Sequence, residues 1–180
     1  DTMAAGKRSL ALNLARPGAL DVIRELVAWA DVVMESYSPR AMPKWGLGYE
    51  DLRRIKPDLI MVSTCLAGQT GPMANFAGYG NLGAALAGFY GLAGWPDRPP
   101  AGPFGAYTDY TSTHFLAATV LAAVDHRRRT GEGQYIDIAL LDTSVAMVSH
   151  IMQDYLLSGE APPRLGNGGN GGGPADLIHG

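Results

Sequence analysis

Thr108-Asp109-Tyr110-Thr111-Ser112-Thr113 is a short polar stretch set between a Pro/Gly-rich segment and the unbroken apolar run from Phe115 to Val124. The run marks a buried helix, which places Asp109 at its mouth. A carboxylate just before a helix lies near unpaired backbone N–H groups and the positive end of the dipole, and both favour its ionised form. An ionised carboxylate can serve as a nucleophile in covalent catalysis. Aspartate in this place also serves simply as an N-cap, so the rest of the chain has to decide between the two roles.

Other chemical constellations are weaker. Gly78-Tyr79-Gly80-Asn81-Leu82-Gly83 fits the G-x-G-x-x-G pattern of dinucleotide-binding turns, but that fingerprint follows a strand directly, whereas here a loop containing Pro72 intervenes. His114, His126, His150 and His179 lack zinc-ligand spacing, so no metal site is expected. There is no G-x-S-x-G elbow and no phosphate-binding G-x-x-x-x-G-K loop. Cys65 is the single cysteine; it excludes an intramolecular disulfide framework and points to a reducing cytoplasm.

The elements that must position Asp109 can be read from periodicity. Ser9–Leu14 is expected as a short buried strand, and Ala19–Ala30 as a helix whose apolar face carries Leu20, Ile23, Leu26 and Val27. Strands are expected at Asp31–Met34, Leu59–Thr64 and Gly133–Ala139, with a charged helix at Tyr49–Ile55 closed by Lys56-Pro57. A Gly/Ala-rich helix is expected over Leu82–Gly91, and the central helix from about Asp109 to His126. Arg127-Arg128-Arg129 then form a solvated end matched to the dipole. Thr143 is expected to cap a last helix carrying Val145, Val148, Met152 and Tyr155. Because the central helix is apolar all round, it should be covered on more than one side.

Strands alternating with helices at this spacing predict an α/β fold, a Rossmann-like parallel sheet with flanking helices. Residues 1–160 are expected to form that domain, and 161–180 a glycine-rich loop or the start of a linker. The chain has 180 residues, 47% of them hydrophobic, enough for one such core. A net charge of −3 gives no broad footprint for nucleic acid, and no apolar run has the length of a bilayer span. Neither end reads as a designed domain boundary, so a fragment is expected. Spacing alone leaves an α/β enzyme or a binding domain.

Taken together, several stretches resemble one family. Lys7–Leu14 (KRSLALNL), Glu35-Ser36-Tyr37-Ser38-Pro39, Gly46-Leu47-Gly48-Tyr49, the Gly68–Pro72 turn, Thr108-Asp109 and Arg129–Gln134 (RTGEGQ) occur in the order seen in family III CoA-transferases. That group also holds formyl-CoA transferases, carnitine CoA-transferases and α-methylacyl-CoA racemases. The resemblance covers nearly the whole chain and implies the CoA-binding part of the family's large domain.

The resemblance makes Asp109 the catalytic aspartate, which forms covalent acyl and CoA adducts. It assigns CoA contacts to Leu12 and Ala15, to Ser36, Tyr37 and Ser38, to Lys44, and to Ala77 and Tyr79. At Ala15 the family often has lysine, and Ser36–Ser38 replace an Asn-Phe-basic run. Tyr37 is either a stacking partner for adenine or a half-buried anchor of its loop; Lys44 is either a phosphate contact or a surface lysine. Where racemases of the group carry a histidine, Tyr79 matches the transferases, and Gly80 stands where an acid is common. The implied reaction moves CoA from an acyl-CoA thioester to a carboxylic acid, with CoA and acyl-CoA as substrates and no tightly bound cofactor. The implied setting is a cytoplasmic, interlocked homodimer that binds neither nucleic acid nor membrane. An α-methylacyl-CoA epimerase, or an inactive piece that only binds CoA, are the alternatives.

Overall fold

Val, Ile and other residues that suit a pleated, half-buried surface concentrate in three short runs. In the computed structural model, which describes residues 4–166, these runs form a three-stranded parallel sheet in the order β1-β2-β3. The strands are β1 (Val32–Glu35), β2 (Ile60–Cys65) and β3 (Gln134–Ala139). Val32 pairs with Ile60, and Ile60 with Gln134. Parallel neighbours need long crossovers. Here α2 (Ala41–Lys44) and α3 (Tyr49–Ile55) link β1 to β2, while α4 (Gly80–Leu86), α5 (Phe89–Leu92) and α6 (Tyr107–Thr130) link β2 to β3. Helix α1 (Ala19–Trp29) precedes the sheet, and α7 (Leu140–Met147) and α8 (Ser149–Ser158) follow it.

Alternate residues of a strand face opposite sides, so β2, buried from Ile60 to Ser63, builds two cores. Met61 packs with Val27, Leu47, Leu52 and Leu59 beneath α1 and α3. Ile60 and Val62 pack on the other side with Ala123 of α6, flanked by Leu116 and Val120. Burial on both faces is why LIMV reads as one apolar run rather than an alternating one.

Helix α6 is the longest element, and its carboxyl end is anchored. Gly131 closes it in the left-handed region, at φ 78°, a conformation that glycine adopts without penalty. Arg127 is not solvated as expected; its side chain is only 14% exposed and pairs with Asp31 at 2.7 Å and Asp58 at 3.8 Å. It also donates to the Asp31 carbonyl at 2.9 Å. The end of α6 is thereby tied to the residues that lead into β1 and β2.

Several expectations fail on the folded chain. Ser9–Leu14 forms no strand; it has no ladder partner among the described residues, Leu10 is exposed, and the chain turns at Asn13, whose side chain accepts the Ala15 N–H at 3.0 Å. The helix expected over Leu82–Gly91 starts earlier and breaks at Gly88, where φ is 92°. Thr143 lies inside α7 and bonds back to the Leu140 carbonyl at 2.9 Å instead of capping a helix. By contrast, helix α6 is covered on more than one side as expected, by the sheet, α4 and α7, while Tyr110, Phe115 and Leu121 stay exposed. Most of the segment 161–180 lies outside the described residues.

Candidate active site

The carboxyl ends of parallel strands and the loops that leave them are where open α/β sheets bind ligands. Here the loop after β1, the end of β2 and the first turns of α6 surround a cavity of about 740 Å³. Ser36, Tyr37, Ser38 and Pro39 form one wall; Thr64, Cys65 and Leu66 form its floor at the end of β2. Residues 74–79 form a second wall, facing Asp109, Ser112, Thr113 and Leu116 of α6.

Asp109 is the third residue of α6, not its cap. Ala106 holds the cap position, and the Asp109 N–H donates to the Ala106 carbonyl at 3.0 Å. The side chain is therefore free to serve the cavity. Its approach depends on a missing side chain opposite: a Cβ on Gly80 would lie 2.8 Å from the Asp109 carboxyl carbon and 2.7 Å from the Ala106 carbonyl. One turn along α4, a Cβ on Gly83 would come within 2.6 Å of the Thr108 hydroxyl, which is buried and donates to the Gly80 carbonyl at 3.0 Å. Gly80 and Gly83 of the G-x-G-x-x-G stretch thus let α4 close against the start of α6. No phosphate cradle is needed to explain them, and no room is left at position 80 for the acid that the resemblance would put there.

The loop after β1 is braced twice. Glu35, the buried last residue of β1, accepts the Tyr37 N–H at 2.7 Å. The Tyr37 ring meets Trp45 edge-on, with centroids 5.4 Å apart, yet remains 53% exposed. It is thus an anchored ring that keeps a free face. Tyr79 is 80% exposed at the cavity wall.

Burial pushes the Cys65 thiol above its ordinary value of 9.0, helped by the negative charges of Asp137 and Glu35 and opposed by backbone N–H groups at Ala67 and Gly68. Burial likewise raises the Tyr135 phenol, against the opposing effect of the Ser63 hydroxyl. Both side chains are neutral at physiological pH. Asp137 fixes the turn beyond Cys65 by accepting the Gln69 N–H with both carboxylate oxygens, at 2.9 and 3.1 Å.

Of the residues expected to contact ligand, Ser36, Tyr37, Ser38, Ala77, Tyr79 and Asp109 gather around this one cavity. Leu12, Ala15 and Lys44 are not among its lining residues: the first two lie at the turn before α1, and Lys44 is exposed at the end of α2. Ser112 and Thr113 of the opening polar stretch also line the cavity, although they are not among the expected contacts; their spacing from Asp109, three and four residues along a helix, puts them on its face. Asn75 and Phe76 sit in an irregular loop that gives no periodic signal. Among the described residues no cluster of three or more His, Cys, Asp or Glu side chains is placed to hold a metal ion.

The family model described as CoA-transferase family III matches residues 1–179. The chain belongs to CoA-transferase family III. Its similarity to named members is spread over most of its length. It is 41% identical over 162 residues to the succinate–glutarate CoA-transferase of Agrobacterium fabrum, covering 90% of this chain and 40% of that protein. To the succinyl-CoA–D-citramalate CoA-transferase of Chloroflexus aurantiacus it is 34% identical over 165 residues, 92% of this chain and 41% of that one. The crystal structure of a CaiB/BaiF family protein from Brucella suis superposes with a TM-score of 0.86 at 38% identity, over 90% of this chain and 43% of that chain. The family III chain described here therefore spans well under half the length of these relatives.

Proposed function

We propose that this chain carries the CoA-handling part of an enzyme that moves coenzyme A from an acyl-CoA thioester to a carboxylic acid through a covalent adduct on Asp109. The observation that carries the reading is the seat of Asp109, in the wall of a cavity of about 740 Å³ shared with Ser36, Tyr37 and Tyr79, in a family III chain. Leu12, Ala15 and Lys44 remain proposed CoA contacts at the edge of the ligand's reach.

An Asp109 carboxylate oxygen attacks the thioester carbonyl; the C–S bond breaks, leaving a mixed anhydride and CoA thiolate. The thiolate attacks the aspartyl carbonyl, the donor acid departs as its carboxylate, and an aspartyl-CoA thioester remains. An incoming carboxylate repeats the two displacements in reverse order, regenerating Asp109 and releasing the new acyl-CoA. Each tetrahedral intermediate requires hydrogen-bond donors aimed at its oxyanion, and water has to be kept from the anhydride. Tyr79 supports transfer over epimerisation, because racemases of the group carry a histidine at that place and the transferases a tyrosine.

Both named relatives act, by their names, on dicarboxylic acids. We therefore assign a dicarboxylic acid as acceptor and its CoA thioester as donor class. The whole protein is proposed to be a cytoplasmic homodimer, with the exposed apolar face of α6 covered on assembly.

The decisive experiment replaces Asp109 in the enzyme. Asp109→Ala is expected to lower CoA exchange between succinyl-CoA and a labelled acid by about 10³-fold or more, while CoA binding stays near wild type. Hydroxylamine should trap an adduct on the Asp109 peptide of the wild type. Substantial residual exchange in Asp109→Ala overturns the assignment.

A further inference from the structure

Glu35 is 8% exposed at the end of β1, and the chemistry above makes no use of it. A buried carboxylate is costly unless it is hydrogen-bonded. Its partner among the described residues is a backbone amide, that of Tyr37, at 2.7 Å. This is the short length of a charge-assisted bond, the stronger class of hydrogen bond. Glu35 pairs in register with the buried Ser63 of β2, so its own backbone is fixed by the sheet. Tyr37 stands at the centre of Ser36-Tyr37-Ser38, which lines the cavity, and its ring is braced by Trp45. The main chain of the loop is thus pinned by Glu35 and its ring by Trp45. A loop ordered before its ligand arrives loses less conformational freedom on binding.

We infer that Glu35 is a positioning residue for coenzyme A: its carboxylate holds the Ser36–Ser38 loop in the shape that receives the ligand, without touching the ligand itself. The inference rests on the CoA reading above. Ionised glutamate accepts the amide bond most strongly; glutamine retains an acceptor oxygen without the charge, and alanine offers neither.

The test follows the Tyr37 amide by hydrogen exchange in the NMR spectrum and CoA affinity by titration calorimetry, in wild type, Glu35→Gln and Glu35→Ala, below the thermal midpoint of each. Exchange at Tyr37 should quicken in the order wild type, Gln, Ala. The Kd for CoA should rise about tenfold in Glu35→Ala, with partial rescue in Glu35→Gln. A residue that merely supports the fold would lower the midpoint and leave Kd unmoved. Unchanged Tyr37 exchange, or unchanged Kd in variants of a wild type that binds CoA, overturns the role of Glu35. If Glu35→Ala fails to fold, Glu35→Gln decides by the same two readings. A wild type that takes up no CoA defeats the functional reading itself, and this inference loses its ligand with it.

Discussion

A carboxylate in the third position of a helix has a different duty from one at its cap. Asp109 has passed the cap position to Ala106, so its side chain can be spent on a substrate, and the absence of a Cβ at Gly80 is what lets it pack where it does. The other group of chemical interest in the cavity is Cys65, whose thiol is raised by burial and by nearby negative charge. With its folded value above 9.0, the thiol form is favoured in the folded state, and this contribution to stability is complete below the unfolded value and lost as pH climbs through the folded one. Alkylation of Cys65 by iodoacetamide should accordingly be slow at pH 7 and reach its midpoint above pH 9.0. CoA should protect the thiol, because Cys65 lines the same cavity. Rapid labelling at pH 7, unaffected by CoA, would contradict that placement.

At the level of elements, helix α4 and the start of α6 depend on close approach. Adding one methyl at Gly83, Gly83→Ala, drives a Cβ to 2.6 Å from the Thr108 hydroxyl and 3.0 Å from Leu66. Overpacking a buried seam costs about 1–3 kcal/mol, so the midpoint of thermal or urea unfolding should fall, and the Thr108 bond to Gly80 should be lost. An unfolding curve indistinguishable from wild type would show that the seam is loose. Much of this level was legible beforehand. The strands at Val32, Ile60 and Gln134 and the helix Tyr49–Ile55 follow from β-branched runs, charge placement and Pro57, all of them local signals. What was illegible depends on neighbours. Ser9–Leu14 has the composition of a strand but finds no ladder among the described residues. Thr143 looks like a cap until α7 is seen to start straight from the end of β3. Asp109 is singled out by its place before the apolar run and given its expected role by resemblance, the Ser36–Ser38 loop is named by resemblance alone, and Glu35 is passed over because a buried carboxylate looks, in a sequence, like any other acid.

Across the whole molecule, the unevenness of α6 is the main consequence of its packing. Its sheet side is buried with Ile60 and Val62, while Leu121 remains 69% exposed, and Leu156 and Leu157 of α8 are exposed too. The exposed apolar side chains of α6 belong to the face that the proposed homodimer would cover. Leu121→Lys should shift the sedimentation distribution towards monomer without lowering the unfolding midpoint, since a charge at an exposed position costs the fold little. An unchanged distribution in a wild type that does associate would move the interface elsewhere.

The salt-bridged end of α6 has a mechanical meaning. From Arg127 back to Asp109 is eighteen residues of helix, about 27 Å of stiff rod at ~1.5 Å per residue. With Arg127 pinned to Asp31 and Asp58, that rod works as a lever arm: a tilt of about 5° at the pivot swings the far tip by about 2 Å, given its length. Displacements of about an ångström are enough to cost an enzyme most of its rate. Substitutions near the amino ends of the strands, remote from the cavity, can therefore detune the proposed nucleophile, Asp109, as effectively as changes beside it.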